Sequence, residues 1–254
     1  MAPLTRSMKK KAANSKSRIM QSLPKELLVE VLAKVASNSF NDLYSAKLSC
    51  KDFNKMAEED YIFQCVDMSK FPLVSWRFDD KFSKFLKRCK KCGNAEALYR
   101  QGLRDLFRGK RVQHGIMCLK KAASKGHVEA TYVYGAILVC FGGESKQEGL
   151  ELLYSLNHYK PKGFSVRECR ERVKGLVRNM WADRKVVGKI VQARHETAIA
   201  KTCSDCGNRQ EVFTVERGWD PLDHENFSSC NTCRWHQEVN IFRDILNDSC
   251  TPLY

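Results

Sequence analysis

Ala122-Ala123-Ser124-Lys125-Gly126-His127-Val128-Glu129-Ala130 lies inside an internal repeat that decides the fold. Asn94-Ala95-Glu96-Ala97 realigns with His127-Val128-Glu129-Ala130, Tyr99 with Tyr132 and Gly102 with Gly135, a period of 33. Further on, Gly115-Ile116-Met117-Cys118-Leu119 corresponds to Gly149-Leu150-Glu151-Leu152-Leu153. A period in the thirties built from two amphipathic helices marks a helical solenoid. Small residues at fixed offsets (Ala97, Gly102, Ala122, Gly126, Ala130, Gly135) let paired helices approach closely. The fold class expected is therefore mostly α, centred on a short α-solenoid.

The Ala-Ala-x-x-Gly-His-x-x-Ala pattern of residues 122–130 is similar to the core of SEL-like repeats, relatives of the tetratricopeptide repeat. The resemblance implies protein binding on a concave face and makes His127 a structural turn residue. Stacks of this kind need about three units, so flanking helices over 78–92 and 165–198 are expected as caps, with the solenoid itself at 78–160. The alternative, a repeat that only spaces the two ends of the chain, stays open.

Towards the N-terminus, Leu23, Leu27, Leu28, Val31, Leu32 and Val35 recur on one side of an amphipathic helix. Pro24 suits its first turn, where a missing N–H leaves no bond unmade. Ser39-Phe40-Asn41-Asp42 reads as a break and a new cap. A second helix then runs through Leu43 and Leu48, and a third begins near Phe53. The Leu-Pro start, Glu26-Leu27-Leu28, Asp42-Leu43 and Leu48-Ser49-Cys50-Lys51-Asp52-Phe53 together resemble an F-box over residues 22–67, with Phe53 in place of the usual Trp. That resemblance implies a three-helix module docking on the Skp-type adaptor of a cullin-RING ligase. It makes Leu23, Pro24, Leu27, Leu28, Val31, Leu43, Leu48, Cys50 and Phe53 the adaptor-binding or core positions, and the sequence does not separate the two classes.

The chain of 254 residues carries a formal net charge of +15. Six positive charges and no acid fall in residues 1–21, which read as a disordered basic arm. Much of the rest lies between 77 and 201, including a basic helical extension over 161–200. Such a surface can hold phosphates, but no nucleic-acid motif accompanies it, so nucleic acid is a possible partner and not the favoured one. An acidic protein is another. No run of apolar residues is long enough for a membrane span, and the N-terminus has no signal-peptide core.

Twelve cysteines in a chain without a secretory signal point to reduced thiols in a cytoplasmic or nuclear setting. Cys203-Ser204-Asp205-Cys206-Gly207 and Cys230-Asn231-Thr232-Cys233 are two Cys-x-x-Cys turns. Such turns aim paired thiolates at one ion, so Cys203, Cys206, Cys230 and Cys233 are the expected ligands of a structural zinc. They anchor a small module at 201–246, in which Glu211-Val212-Phe213-Thr214-Val215 alternates as a strand of a short β-hairpin. His224 or His236 could replace one thiolate, and an irregular segment with reduced thiols is the competing reading. The third pair, Cys89 and Cys92, has no partner pair and reads as structural.

The order of F-box, SEL-like repeats and Cys-pair module resembles a group of plant F-box proteins. Some of those end in a MYND-type finger, whose full ligand set this chain lacks. The resemblance implies a non-enzymatic adaptor, a substrate-recognition subunit of an SCF-type E3 ligase that holds an unknown protein target. The competing readings are a nucleic-acid-associated basic protein and an F-box scaffold outside any ligase. No phosphate-binding loop, nucleophile elbow or catalytic carboxylate pair is present.

Overall fold

A computed structural model describes residues 23–71, 80–158, 166–180, 183–192, 203, 205–207 and 230–248. The basic arm 1–21, the strand over Glu211–Val215, His224 and Cys250 lie outside them, as do residues 193–200 of the extension. Twelve helices and no strand occur among the described residues. The chain divides into two compact units, residues 1–71 with 79–94, and residues 72–78 with 95–254.

The first unit holds α1 (Lys25–Asn38), α2 (Phe40–Ser49), α3 (Lys51–Met56), α4 (Asp60–Cys65) and α5 (Asp80–Lys91). Pro24 stands immediately before α1, and the Ser39 hydroxyl accepts the Asp42 N–H at 3.3 Å to start α2. The Cys50 thiol accepts the Phe53 N–H at the start of α3. Leu28, Leu32 and Ala36 from α1, Leu43 from α2, Ile62 from α4 and Cys89 from α5 are buried. Helix α5, expected as a cap on the repeats, belongs to this unit and packs on α4. Its Arg88 guanidinium sits 3.9 Å from the Phe63 ring centroid and pairs with Glu58. Burial alone would raise the Glu58 carboxyl, but Lys47 and Arg88 hold it below the usual range. Asn94 closes the unit: its buried amide donates to the carbonyls of Phe63, Gln64 and Val66 at 2.9–3.1 Å, tying down the open end of α4.

The second unit is a tetratricopeptide-like stack of two hairpins, α6 (Ala95–Phe107) with α7 (Val112–Ser124) and α8 (Val128–Phe141) with α9 (Ser145–His158). Each hairpin crosses on a glycine pair. A Cβ on Gly102 would lie 2.8 Å from Leu119 Cγ and 3.0 Å from the Gly115 carbonyl; one on Gly135 would lie 3.0 Å from Leu153 Cγ and 3.1 Å from the Gly149 carbonyl. The correspondence of Gly115 with Gly149 is thus a correspondence of crossing points. Between hairpins, Gly126 turns at φ 79°, a left-handed conformation that favours glycine. His127 caps α8 by accepting the Ala130 N–H on Nδ1 at 3.2 Å, which leaves Nε2 to donate to Glu96 at 2.6 Å. Burial opposes ionisation of Glu96, yet His127 and Arg100 keep its carboxyl below the ordinary range. The turn histidine is structural.

Three more helices, α10 (Val166–Met180), α11 (Arg184–Gln192) and α12 (Asn231–Asp248), complete the unit. Helices α10 and α11 each pack on both α6 and α8, and α12 packs on α8, α9, α10 and α11. Helices α10 and α11, expected as an end cap, thus pack on the first helices of both hairpins. Helix α8 is therefore covered from several sides, and every residue from Ala130 to Cys140 is buried, which is why its apolar residues run all round. At the centre Arg170 pairs with Glu238 through Nε (3.1 Å) and a terminal nitrogen (2.6 Å), and the Tyr132 hydroxyl donates to Glu238 at 2.7 Å.

Candidate docking face and metal centre

The structure separates the nine F-box positions. Leu28 and Leu43 are buried and belong to the core, and Phe53 is half-buried. Leu23, Pro24, Leu27, Val31, Leu48 and Cys50 face solvent. Leu27 and Val31, four residues apart, line one stripe of α1 at 48% and 56% exposure, and Leu23 is exposed just before the helix begins. Tyr44 and Leu48, again four apart, form a second stripe on α2, with Leu48 72% exposed. Tyr61 on α4 is a further exposed aromatic. Tyr44 and Tyr61 lie outside the motif; the signal for Tyr44 was its spacing from Leu48, whereas nothing in the sequence distinguished Tyr61. Isolated surface leucines are ordinary, but two apolar stripes in one small unit make a candidate interaction site.

The second candidate is the cysteine cluster. Cys203, Cys206 and Gly207 form a turn, with the Gly207 N–H donating to the Cys203 carbonyl at 2.9 Å and Gly207 at φ 69°. Cys230 immediately precedes α12, and Cys233 lies in its first turn. All four sulfurs lie within 4.8 Å of one another. The Cys203–Cys230 and Cys206–Cys233 separations are 3.7 and 3.6 Å. A tetrahedral zinc at about 2.3 Å from each sulfur sets them about 3.8 Å apart, so the donor set fits such an ion. A disulfide requires about 2 Å, and none of the four is disulfide-bonded. Burial opposes ionisation of Cys203, but the N–H groups of Cys206 and Asp205 and neighbouring thiols bring it down to about 7. Burial and the other three thiols push Cys233 up.

A polar chain ties this turn to the repeats. The Thr232 hydroxyl bonds the Asp205 carboxylate and lies 2.6 Å from the Tyr154 hydroxyl on α9, and Asn157 donates to Asn231 at 2.8 Å. Among the described residues His236 is not one of the candidate ligands. Burial and nearby Lys146 lower its pKa to about 4, leaving a neutral ring. Cys89 is buried, which pushes its thiol up to about 12, and the Cys89/Cys92 pair gathers no third ligand among the described residues. No described helix is long and apolar enough to cross a membrane.

Comparison with known proteins agrees with the helical repeats and with the F-box resemblance. A family of plant tetratricopeptide repeats matches residues 68–178. The chain is 31% identical over 235 residues to an Arabidopsis thaliana protein named for an F-box, covering 87% of this chain and 75% of that one. A second Arabidopsis F-box protein is 29% identical over 126 residues, 48% of this chain and 75% of its own. A third is 25% identical over 137 residues, 53% of this chain and 41% of its own. No solved structure matches.

Proposed function

The chain belongs to the plant F-box proteins, and from that premise we propose that it is a substrate-recognition subunit of an SCF-type E3 ubiquitin ligase. One observation carries the reading: Leu23 just before α1, Leu27 and Val31 on α1, and Tyr44 and Leu48 on α2 are exposed and apolar, while Leu28, Leu32 and Leu43 on the same helices fill the core. The exposed stripes dock on the Skp-type adaptor, which joins the cullin and RING subunits. The second unit holds a protein target. Its inner helices α6 and α8 are packed under α10 and α11, so the target contacts other surfaces of the unit. The four thiolates take a structural zinc ion, which would supply cross-linking and no reaction step.

In this role the chain itself performs no chemistry. Holding the target beside the charged conjugating enzyme replaces a bimolecular encounter with a nearly intramolecular one. The test is co-purification with the Skp-type adaptor and cullin, comparing wild type with Leu27→Ala/Val31→Ala/Leu48→Ala. Losing three partner-facing anchors of about 1 kcal/mol or more each weakens capture at least a hundredfold, with the helical content unchanged. A folded wild type that brings down no adaptor sinks the reading.

A further inference from the structure

We infer that metal at Cys203, Cys206, Cys230 and Cys233 is the clasp that seats α12 on the repeats, making the second unit, and not the first, conditional on a thiophilic divalent ion. The inference rests on the zinc assignment proposed above and extends it from a ligand set to a control over one half of the molecule.

Three observations carry it. First, the cluster joins positions 27 residues apart in sequence, Cys203 to Cys230 and Cys206 to Cys233. An ion there closes that loop and removes the entropy of its open states. Second, two of the ligands sit at the start of α12, so the ion fixes where that helix begins. The Asp205–Thr232–Tyr154 chain and the Asn157–Asn231 bond then fix it against α9. Third, α12 is one of the helices that cover α8. Trp235, Val239, Phe242 and Leu246 are buried in one cluster with Tyr132, Ile137 and Val139, and Phe242 meets the Tyr132 ring edge-on at 5.9 Å. Lifting α12 would uncover one side of α8 and part Arg170 from Glu238. The first unit has no comparable dependence, because its helices close through α5 and Asn94 and no metal cluster lies among its described residues.

The ligand class follows from the donors. Four thiolates at tetrahedral spacing select zinc or another soft divalent ion over magnesium or calcium, which take oxygen ligands.

The test uses the full chain purified with zinc. Metal analysis is expected to give one zinc ion per chain. Hydrogen exchange is followed before chelation, after chelation, and after zinc is restored. On chelation, amides of α12 and of residues 130–140 in α8 lose protection together, while those of α1 to α4 do not change. Restored zinc at a hundred times its dissociation constant raises the closed-to-open ratio of α12 about 100-fold. Cys203→Ser/Cys206→Ser reproduces the chelated pattern without chelator. Zinc that binds but leaves α12 protection unchanged on removal overturns the inference, as does loss of protection spread equally over α1 to α4, or a chain that binds no zinc. Capture of the Skp-type adaptor, measured on the same samples, is independent: its failure with the exchange response intact would sink the ligase reading alone.

Discussion

Leu27 and Leu28 are chain neighbours with opposite duties. Leu28 is 7% exposed and fills the first unit's core, whereas Leu27 stands in solvent. Leu28→Ala is expected to lower stability by about 2–5 kcal/mol through the cavity it leaves. Leu27→Ala is expected to change stability by no more than about 0.5 kcal/mol. Denaturant melts of the two variants check this, and equal losses would mean that the exposed stripe is packed in solution. His236 makes a second prediction at this scale. Its folded pKa, about 4, lies below the ordinary value of 6.5. The unfolded chain therefore binds the proton first as pH falls, so this contribution is complete above pH 6.5 and is lost between pH 6.5 and 4, amounting to about 3 kcal/mol. Stability profiles of wild type and His236→Gln over that window should diverge, the variant being flatter; parallel profiles would refute the assignment. The motif located these residues but could not give their directions. Helix α1 is apolar on two sides, through Leu27 and Val31 and through Leu28, Leu32 and Ala36, and spacing alone cannot tell which side its own unit covers.

The elements were legible where a local pattern is also a local contact. Realignment of Gly102 with Gly135, and of Gly115 with Gly149, named residues whose missing side chains let backbones cross. Gly115→Ala would place a Cβ 2.7 Å from the Leu106 nitrogen, and Gly149→Ala one 2.7 Å from the Gly135 carbonyl. Backbone cannot swing aside as a flexible side chain can, so each substitution should destabilise the second unit by about 1–3 kcal/mol or more. Gly175→Ala in α10, which meets nothing within 4 Å, should be neutral or slightly stabilising through helix propensity. Thermal melts of the three variants test the ordering. The two Cys-x-x-Cys turns were legible in the same way, because each pair is a local turn. That Cys230 and Cys233 begin the longest described helix was not, because no stretch around them shows a clear apolar face.

At the scale of the molecule, the long-range pairings escaped the sequence. Nothing near Asn94 announces that it holds the end of α4, and the basic face of α5 suited an end cap of the repeats as well as a wall of the first unit. The Arg170–Glu238–Tyr132 group joins residues up to 106 apart, and no local pattern reports it. Glu238→Ala would remove the buried carboxylate shared by Arg170 and Tyr132 and should lower the stability of the second unit by about 3–5 kcal/mol. Adaptor capture by the first unit should persist at temperatures where the second still holds; simultaneous loss of both in mild conditions would contradict the division into units.

Helix α12, 18 residues long and so about 27 Å from end to end, has a consequence for how such a chain can evolve. Open solenoids lengthen by duplicating a hairpin, since each new unit finds the same neighbour surface as the last. Here one transverse helix touches both members of the second hairpin and both helices laid beside it. A duplicated hairpin would present an inner helix that nothing reaches, with its apolar side in water. The array is closed from the side, so lineages built on this plan can diversify their outer surfaces freely while the number of repeats stays fixed.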